Sequence, residues 1–296
     1  MKILFNKKFL LHNADCQAEG PYRIKDFKDI EDTNVNGEQW IKLVHPEEYR
    51  YRIKQACFNG EFLAELQLSK VSYEDACLAA GLTVEASKNG DFAVVRPPGH
   101  HAGRETATGL CLFNNIAIAA QKLVKEGKRV FILDIDAHHG NGTQDIFYTS
   151  NEVLFCSIHQ EGVYPHTGFI IETGKGKGHG FTYNFPLEAG MGNKEFLDRV
   201  DKAIKISKQF KPDVIGVSVG FDGYENDMLM GLKYTKHAYY ECAYKLKKAF
   251  RKTPVFAVLE GGYHDEIRSL VDTFIEGIEN GSKPPRLKFN EDMAIG

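Results

Sequence analysis

The 296-residue chain reads as an α/β protein built on an open, mostly parallel sheet with helices on both faces. Three observations predict it. Apolar runs of strand length alternate with segments of helical periodicity. The runs are continuous Val, Ile, Leu and Phe, as expected of parallel strands buried on both faces. The polar residues that do not belong in such runs stand at their C-terminal ends, where open α/β sheets bind ligands.

In order, residues 2–5 form a short strand, followed by an irregular polar stretch through about residue 36 that contains His12, Asp15 and Arg23. Apolar residues recur at helical spacing over 45–58 and again over 61–85, the latter with Gly81 placed as a C-cap. Residues 92–95 are a strand that runs into Arg96-Pro-Pro-Gly-His-His-Ala-Gly103. The two prolines stop the ladder, and Gly99 lets the backbone bring His100 and His101 to one place. A His-His pair alone is more often a fortuitous neighbour pair; its place at a strand end raises it.

The segment after Gly109-Leu-Cys-Leu-Phe-Asn-Asn115 is a helix through residue 125, closed by Gly127. Next comes the central strand, 130–135, which carries Asp134 and Asp136 and spills into His138, His139 and Gly-Asn-Gly142. A carboxylate inside a buried strand costs several kcal/mol unless it is paired. Positions i, i+2 and i+4 of a strand share a face, so Asp134, Asp136 and His138 converge if the extended geometry continues. Carboxylate oxygens and an imidazole suit Zn²⁺ or another divalent first-row metal. Taken alone, the same triplet more often caps the next helix.

A short helix over 143–148, a strand over 152–158 ending in His159, and a glycine- and lysine-rich loop to Gly178 follow. That loop lacks the spacing of a phosphate-binding loop. Strands over 181–186, 213–220 and 255–259 alternate with helices over 193–210, 234–250 and 265–278.

The formal net charge of -3 and a pI near 6.4 leave no nucleic-acid footprint and no basic cluster for a membrane surface. Six cysteines without a CxxC pair suit free thiols in a reducing compartment, and no signal or transmembrane run is evident. The expectation is a cytoplasmic protein with one domain spanning residues 1–296.

Four strands end in unusual polar residues: Val95 leads to His100 and His101, Ile135 to Asp136 and His138, Val219 to Asp222, and Leu259 to Tyr263. One sheet edge collects them, each beside glycines. That agreement favours a three-ligand metal site of Asp136, His138 and Asp222 with open coordination, with His100 and His101 as acid-base groups. Asp134 orients His100 or meets a second, monovalent cation. Tyr263 is a candidate donor to an oxyanion.

Arg96-Pro-Pro-Gly-His-His-Ala, Leu133-Asp-Ile-Asp-Ala-His-His-Gly-Asn-Gly, Ser218-Val-Gly-Phe-Asp222 and Leu259-Glu-Gly-Gly-Tyr263 resemble the signature segments of the zinc-dependent histone deacetylase family. The likeness is to its class II-like bacterial type, with acetoin-utilisation proteins and acetylpolyamine amidohydrolases. The resemblance implies an arginase/deacetylase-like fold and Zn²⁺, or Fe²⁺, on Asp136, His138 and Asp222. It implies His101 as principal base and acid, His100 as its electrostatic partner held by Asp134, and Tyr263 polarising the carbonyl. A structural K⁺ site maps to Asp134, Asp136, His138, Ser157 and Ile158. Asn141 stands where some relatives carry a second histidine-orienting aspartate.

Departures from the pattern concern the rim. Leu110 follows Gly109 where many relatives place a tunnel phenylalanine, Tyr164 falls at the other wall, and Leu229 follows Asp227-Met228 where a proline is common. In the N-terminal pattern, the stretch Asp15-Cys-Gln-Ala-Glu-Gly-Pro-Tyr-Arg23 aligns only at Arg23, and no rim aspartate is evident. The expected function is removal of acetyl or short acyl groups from acylated amines such as acetyl-lysine. Acetylpolyamine hydrolysis is the alternative enzyme, and a silent acyl-amine binding protein the alternative from another class.

Overall fold

The computed structural model describes residues 1–12 and 18–283; Asp15 and Cys16 lie outside the described residues. In chain order the elements are β1 (Ile3–Leu4), α1 (Glu38–Ile41), α2 (Glu47–Asn59), a hairpin of β2 (Phe62–Leu63) and β3 (Leu66–Gln67), α3 (Lys70–Asn89), β4 (Phe92–Ala93), α4 (Asn115–Lys125), β5 (Val130–Asp134), α5 (Asn141–Phe147), β6 (Val153–Gln160), β7 (Thr182–Leu187), α6 (Asn193–Phe210), β8 (Val214–Val219), α7 (Lys236–Ala249), β9 (Val255–Leu259) and α8 (Ile267–Ser282).

Seven strands pair in the order β1-β4-β9-β8-β5-β6-β7, and every pairing is parallel. All residues of β5, β6, β8 and β9 are buried, which explains why their sequences are mostly apolar, with polar residues gathered towards their C-terminal ends. Parallel strands are joined by right-handed crossovers, so connections that step one way across the sheet lie on one face and those stepping back lie on the other. The links through α3, α4 and α5 step towards β7, and those through α6 and α7 step back towards β1. Accordingly α3 packs on α4, while α6 packs on α7 and α7 on α8.

The two directions part between β5 and β8, which are direct neighbours. The chain leaves β5 for one face and β8 for the other, so a crevice opens between their C-terminal ends. This is the place where a doubly wound sheet takes its ligand.

One expected element is overturned. The helix expected over 61–85 begins only at Lys70, where Ser69 and Ser72 form a reciprocal cap, and it runs on to Gly90 in the left-handed conformation. Residues 62–67 are instead the hairpin, with Ala64 and Glu65 at φ of 54° and 61° in its two-residue turn. Such turns normally carry Asn-Gly, so Ala64-Glu65 gave no turn signal. Gly81 is not a C-cap but lies within α3, where a Cβ would come 3.0 Å from the backbone nitrogen of Gly37. Its small size admits the crossing chain.

Candidate active site

The central motif converges by local turns rather than by strand alternation. β5 ends at Asp134, and the residues beyond it fold back through side-chain-to-backbone bonds. The Asp136 amide donates to Asp134 Oδ1 at 3.1 Å and the His138 amide to Asp136 Oδ1 at 2.8 Å. These are the short loops that aspartate favours. Asp222, beyond β8, accepts from the Ala137 amide at 2.7 Å, and Asp136 accepts from the Gly261 amide beyond β9 at 2.7 Å. Three strand ends are thus tied together by two carboxylates.

Asp136, His138 and Asp222 each offer one ligand atom within 4.8 Å of the others. His138 Nδ1 lies 2.6 Å from Asp222 Oδ2 and 3.2 Å from Asp136 Oδ1. Burial opposes charge on His138, yet its bonds to Asp136 and Asp222 carry its pKa up to about 10. Burial and the neighbouring Asp136 push Asp222 up to about 7. The two carboxylates therefore demand positive charge at this point, and a divalent ion satisfies the same demand. The donor set of two oxygens and one nitrogen fits a metal.

Close walls hold the carboxylates. A Cβ on Gly220 would lie 2.0 Å from Asp136 Oδ2, and one on Gly140 would lie 2.1 Å from Asp134 Oδ2. Only hydrogen fits at either place.

His100 and His101 stand side by side with ring centroids 4.0 Å apart, but they are held differently. His100 Nδ1 meets Asp134 Oδ2 at 3.0 Å, and although burial opposes protonation, the charges of Asp136 and Asp134 raise its pKa to about 10. His101 Nδ1 meets the neutral Asn141 Oδ1 at 2.7 Å. Burial, with positive charge on His100 and His138, pushes its pKa well below the ordinary value. A neutral ring whose Nδ1–H is given to Asn141 keeps its Nε2 lone pair free.

Tyr263 is anchored by its amide, which donates to Asp227 Oδ2 at 2.7 Å, while Asp227 Oδ1 accepts from Leu229 at 2.8 Å. One carboxylate therefore places both the phenol and Leu229. Arg23, fully buried, donates to the carbonyls of Gly262 and Glu260 at 2.6 Å each, and its guanidinium lies 5.2 Å from the Tyr263 ring centroid. Glu260 binds the Gly99 and His100 amides at 2.7 and 3.1 Å, fixing the histidine loop onto the end of β9.

A cavity of ≈ 200 Å³ opens over these groups, lined by Glu65, His101, Gly109, Leu110, His138, Tyr164, Leu229 and Tyr263. Every expected tunnel residue is in its wall. Gly109, at φ +57°, packs flat on His101, where a Cβ would fall 2.5 Å from Cδ2. Tyr164 Oη shares a hydrogen bond with Thr108 Oγ1 at 2.6 Å. Ser157 pairs with Asp134 across β5 and β6, with Ile158 next in the strand. Among the described residues no aspartate lines the cavity, but an acidic residue the sequence did not announce does: Glu65, from the unforeseen hairpin, whose carboxylate accepts from the Gly109 amide at 2.8 Å. The roles of Asp227 and Glu260 were equally invisible, since each acts on backbone amides of a distant loop.

The histone deacetylase domain family matches residues 12–278, nearly the whole chain. The chain belongs to that family. A probable deacetylase of Archaeoglobus fulgidus is 39% identical over 236 residues, covering 75% of this chain and 66% of the relative. The crystallised HD domain of HDA15 superposes with a TM-score of 0.85 at 29% identity, covering 94% of this chain and 90% of that one. An acetylpolyamine aminohydrolase from Burkholderia pseudomallei gives 0.80 at 27% identity, covering 94% and 98%. The chain spans between about half and two thirds of the length of the curated relatives it matches first. Among the described residues, no helix is long and apolar enough to cross a membrane.

Proposed function

We propose that this chain is a metal-dependent amidohydrolase that removes acetyl or short acyl groups from acylated amines such as acetyl-lysine, acting as one catalytic domain. The observation that carries the reading is a single one. Asp136, His138 and Asp222 converge, His138 lines the cavity, and beside it stands a neutral His101 whose Nδ1 is already committed to Asn141.

The three ligands would hold Zn²⁺ or Fe²⁺, which supplies Lewis acidity and lowers the pKa of water. His101 Nε2 takes the proton of the attacking water and returns it to the leaving nitrogen, so that the amide C–N bond breaks to a carboxylate and a free amine. His100, kept cationic by Asp134 and Asp136, discourages protonation of His101 before attack. Tyr263 donates its phenolic hydrogen to the oxyanion, and Arg23 holds the Gly262 carbonyl that places it. Gly109, Leu110, Tyr164 and Leu229 form the channel for the acyl-amine chain, and the cavity excludes water around it. Asp134, Asp136, His138, Ser157 and Ile158 would hold a structural K⁺, whose charge would help offset the buried carboxylates where β5 pairs with β6. Among the described residues five buried thiols are free, Cys57, Cys77, Cys111, Cys156 and Cys242, in keeping with a reducing cytoplasm.

A second reading, an acetylpolyamine substrate, is favoured by Glu65, whose carboxylate at the mouth suits a distal ammonium. The test is acetate release from acetyl-lysine peptides and acetylpolyamines by metal-loaded protein beside its His101→Ala variant. Turnover by the wild type that the variant loses supports the enzyme; equal turnover by both removes His101 from the mechanism. Silence on every substrate with the metal bound favours the acyl-amine binding protein.

A further inference from the structure

Beneath the Tyr164 wall lies a second buried polar cluster that the chemistry does not use. Its orientation follows from Glu172, a carboxylate that only accepts. Gln144 Nε2 donates to Glu172 Oε2 at 2.8 Å, so Gln144 Oε1 faces the other way, accepting from Asn184 Nδ2 at 2.7 Å and from His139 Nε2 at 3.2 Å. A His139 ring that donates from Nε2 and stays neutral must accept at Nδ1, and the hydroxyl of Thr167 lies there at 2.8 Å. The same logic fixes His159. Its Nε2 donates to the Gly168 carbonyl at 3.1 Å, and its Nδ1 accepts from Ser157 Oγ at 2.9 Å.

The two rings lie tilted against each other at 50° with centroids 4.8 Å apart and close over Gly168. A Cβ on Gly168, at φ +86°, would fall 2.4 Å from His159 Nε2 and 2.7 Å from His139 Cγ. Glu172 closes the ring by accepting the Gly168 amide at 3.0 Å. Gly168 is therefore enclosed, and Thr167, though exposed, is tied down through its hydroxyl. They end the segment that begins at Gly162 and carries Tyr164, whose hydroxyl is pinned at the far end by Thr108.

We infer that His139 and His159 are positioning residues that clamp Thr167 and Gly168 and thereby fix the Tyr164 wall of the acyl-amine channel. His139 directly follows the candidate ligand His138, so the wall is referenced to the metal site through one peptide bond. The clamp's side chains bond to none of Asp136, His138 and Asp222 and to no reacting atom; Ser157, which donates to His159, is shared with the proposed K⁺ site. Its loss frees the wall and weakens capture of a threaded chain, while the chemistry at the floor keeps its groups.

The kinetic part of this inference rests on the amidohydrolase reading; the structural part does not. The variant is Thr167→Val, which keeps the volume and removes the hydroxyl, leaving a buried acceptor on His139 without a donor. Loss of one such bond corresponds to about tenfold in an opening equilibrium. Amide hydrogen exchange over 162–168 is then expected to speed up about tenfold with β5 and β6 unchanged. KM for an acetyl-lysine peptide should rise about tenfold with kcat within about twofold, and Thr167→Ser should restore both. Gly168→Ala should act in the same direction more strongly. Unchanged exchange over 162–168 in both variants would overturn the clamp, as would exchange that rises equally across β5 and β6, the mark of general loosening. Accelerated local exchange with an unchanged KM would overturn the link to the channel. A wild type that turns over no acyl amine would refute the proposed function, and the exchange arm would still decide the clamp.

Discussion

Two glycines beside the candidate site separate metal binding from catalysis. Gly220 follows β8, and a Cβ there would sit 2.0 Å from Asp136 Oδ2 and 2.6 Å from its Cα, whereas ordinary contact begins at 3.4 Å. Gly220→Ala must therefore drive the Asp136 carboxylate aside by about 1.4 Å, the difference between 3.4 and 2.0 Å. A displacement of about 1 Å at a reacting site costs on the order of 100-fold, and here the displaced group is a proposed ligand. Gly140→Ala makes an equal intrusion elsewhere, with its Cβ 2.1 Å from Asp134 Oδ2 and 3.3 Å from His100 Nδ1. It breaks the Asp134–His100 pair and leaves the three ligands in place. The assay is metal retention against a competing chelator together with kcat/KM, with circular dichroism as the control for folding. Gly220→Ala is expected to lose metal and at least about 100-fold in kcat/KM. Gly140→Ala is expected to keep its metal and lose about 10- to 100-fold in kcat. A folded Gly220→Ala protein with wild-type metal affinity would refute the assignment of Asp136.

Other outcomes follow from single contacts. Tyr263→Phe removes the proposed donor to the oxyanion and should lower kcat by about 100- to 1000-fold with KM little changed, read in steady-state kinetics. Replacing Arg96 by Met removes the guanidinium that meets the buried Glu19 carboxylate at 2.6 and 2.7 Å and leaves it only Arg23, at 3.2 Å; chemical denaturation should register a loss of about 3 kcal/mol. His45 gives a pH effect. It is wholly buried between the Arg104 carbonyl and the Asn114 amide, both at 3.0 Å, so one nitrogen must donate and the other accept. Burial depresses its pKa to about 4, so the unfolded chain binds more protons below pH 6.5. Its stabilisation is complete above about pH 6.5 and disappears as pH falls to about 4, which should appear as a falling Tm that the His45→Gln variant partly flattens.

The sequence was most legible where one side chain had no other affordable place. Asp134 and Asp136 close an apolar strand, and the cost of burying them pointed to a cation; Asp222 joined them as the polar end of another strand. The parallel sheet followed from the same strands, buried on both faces. What the sequence concealed depends on contacts between distant segments. The hairpin at 62–67 has apolar residues at spacings that also satisfy a helix, and its turn uses Ala64 and Glu65 instead of the glycine or asparagine that would have announced it. Glu65 was lost with it. Gly81 resembled a helix stop because its real reason, the close passage of Gly37, lies more than forty residues away. The roles of Asp227 and Glu260 could not be read locally, since each bonds to backbone amides on another loop. The convergence of Asp136 and His138 was foreseen by strand alternation yet is produced by turns that close on Asp134 and Asp136.

The most direct measurement is a metal titration of chelator-stripped protein, following acetate release from an acetyl-lysine peptide and an acetylpolyamine as Zn²⁺ is added. The account predicts no release without metal, a rise that saturates at one equivalent per chain, and no such rise in Asp222→Asn. Full turnover by the stripped protein, or an Asp222→Asn protein that titrates like the wild type, would contradict it.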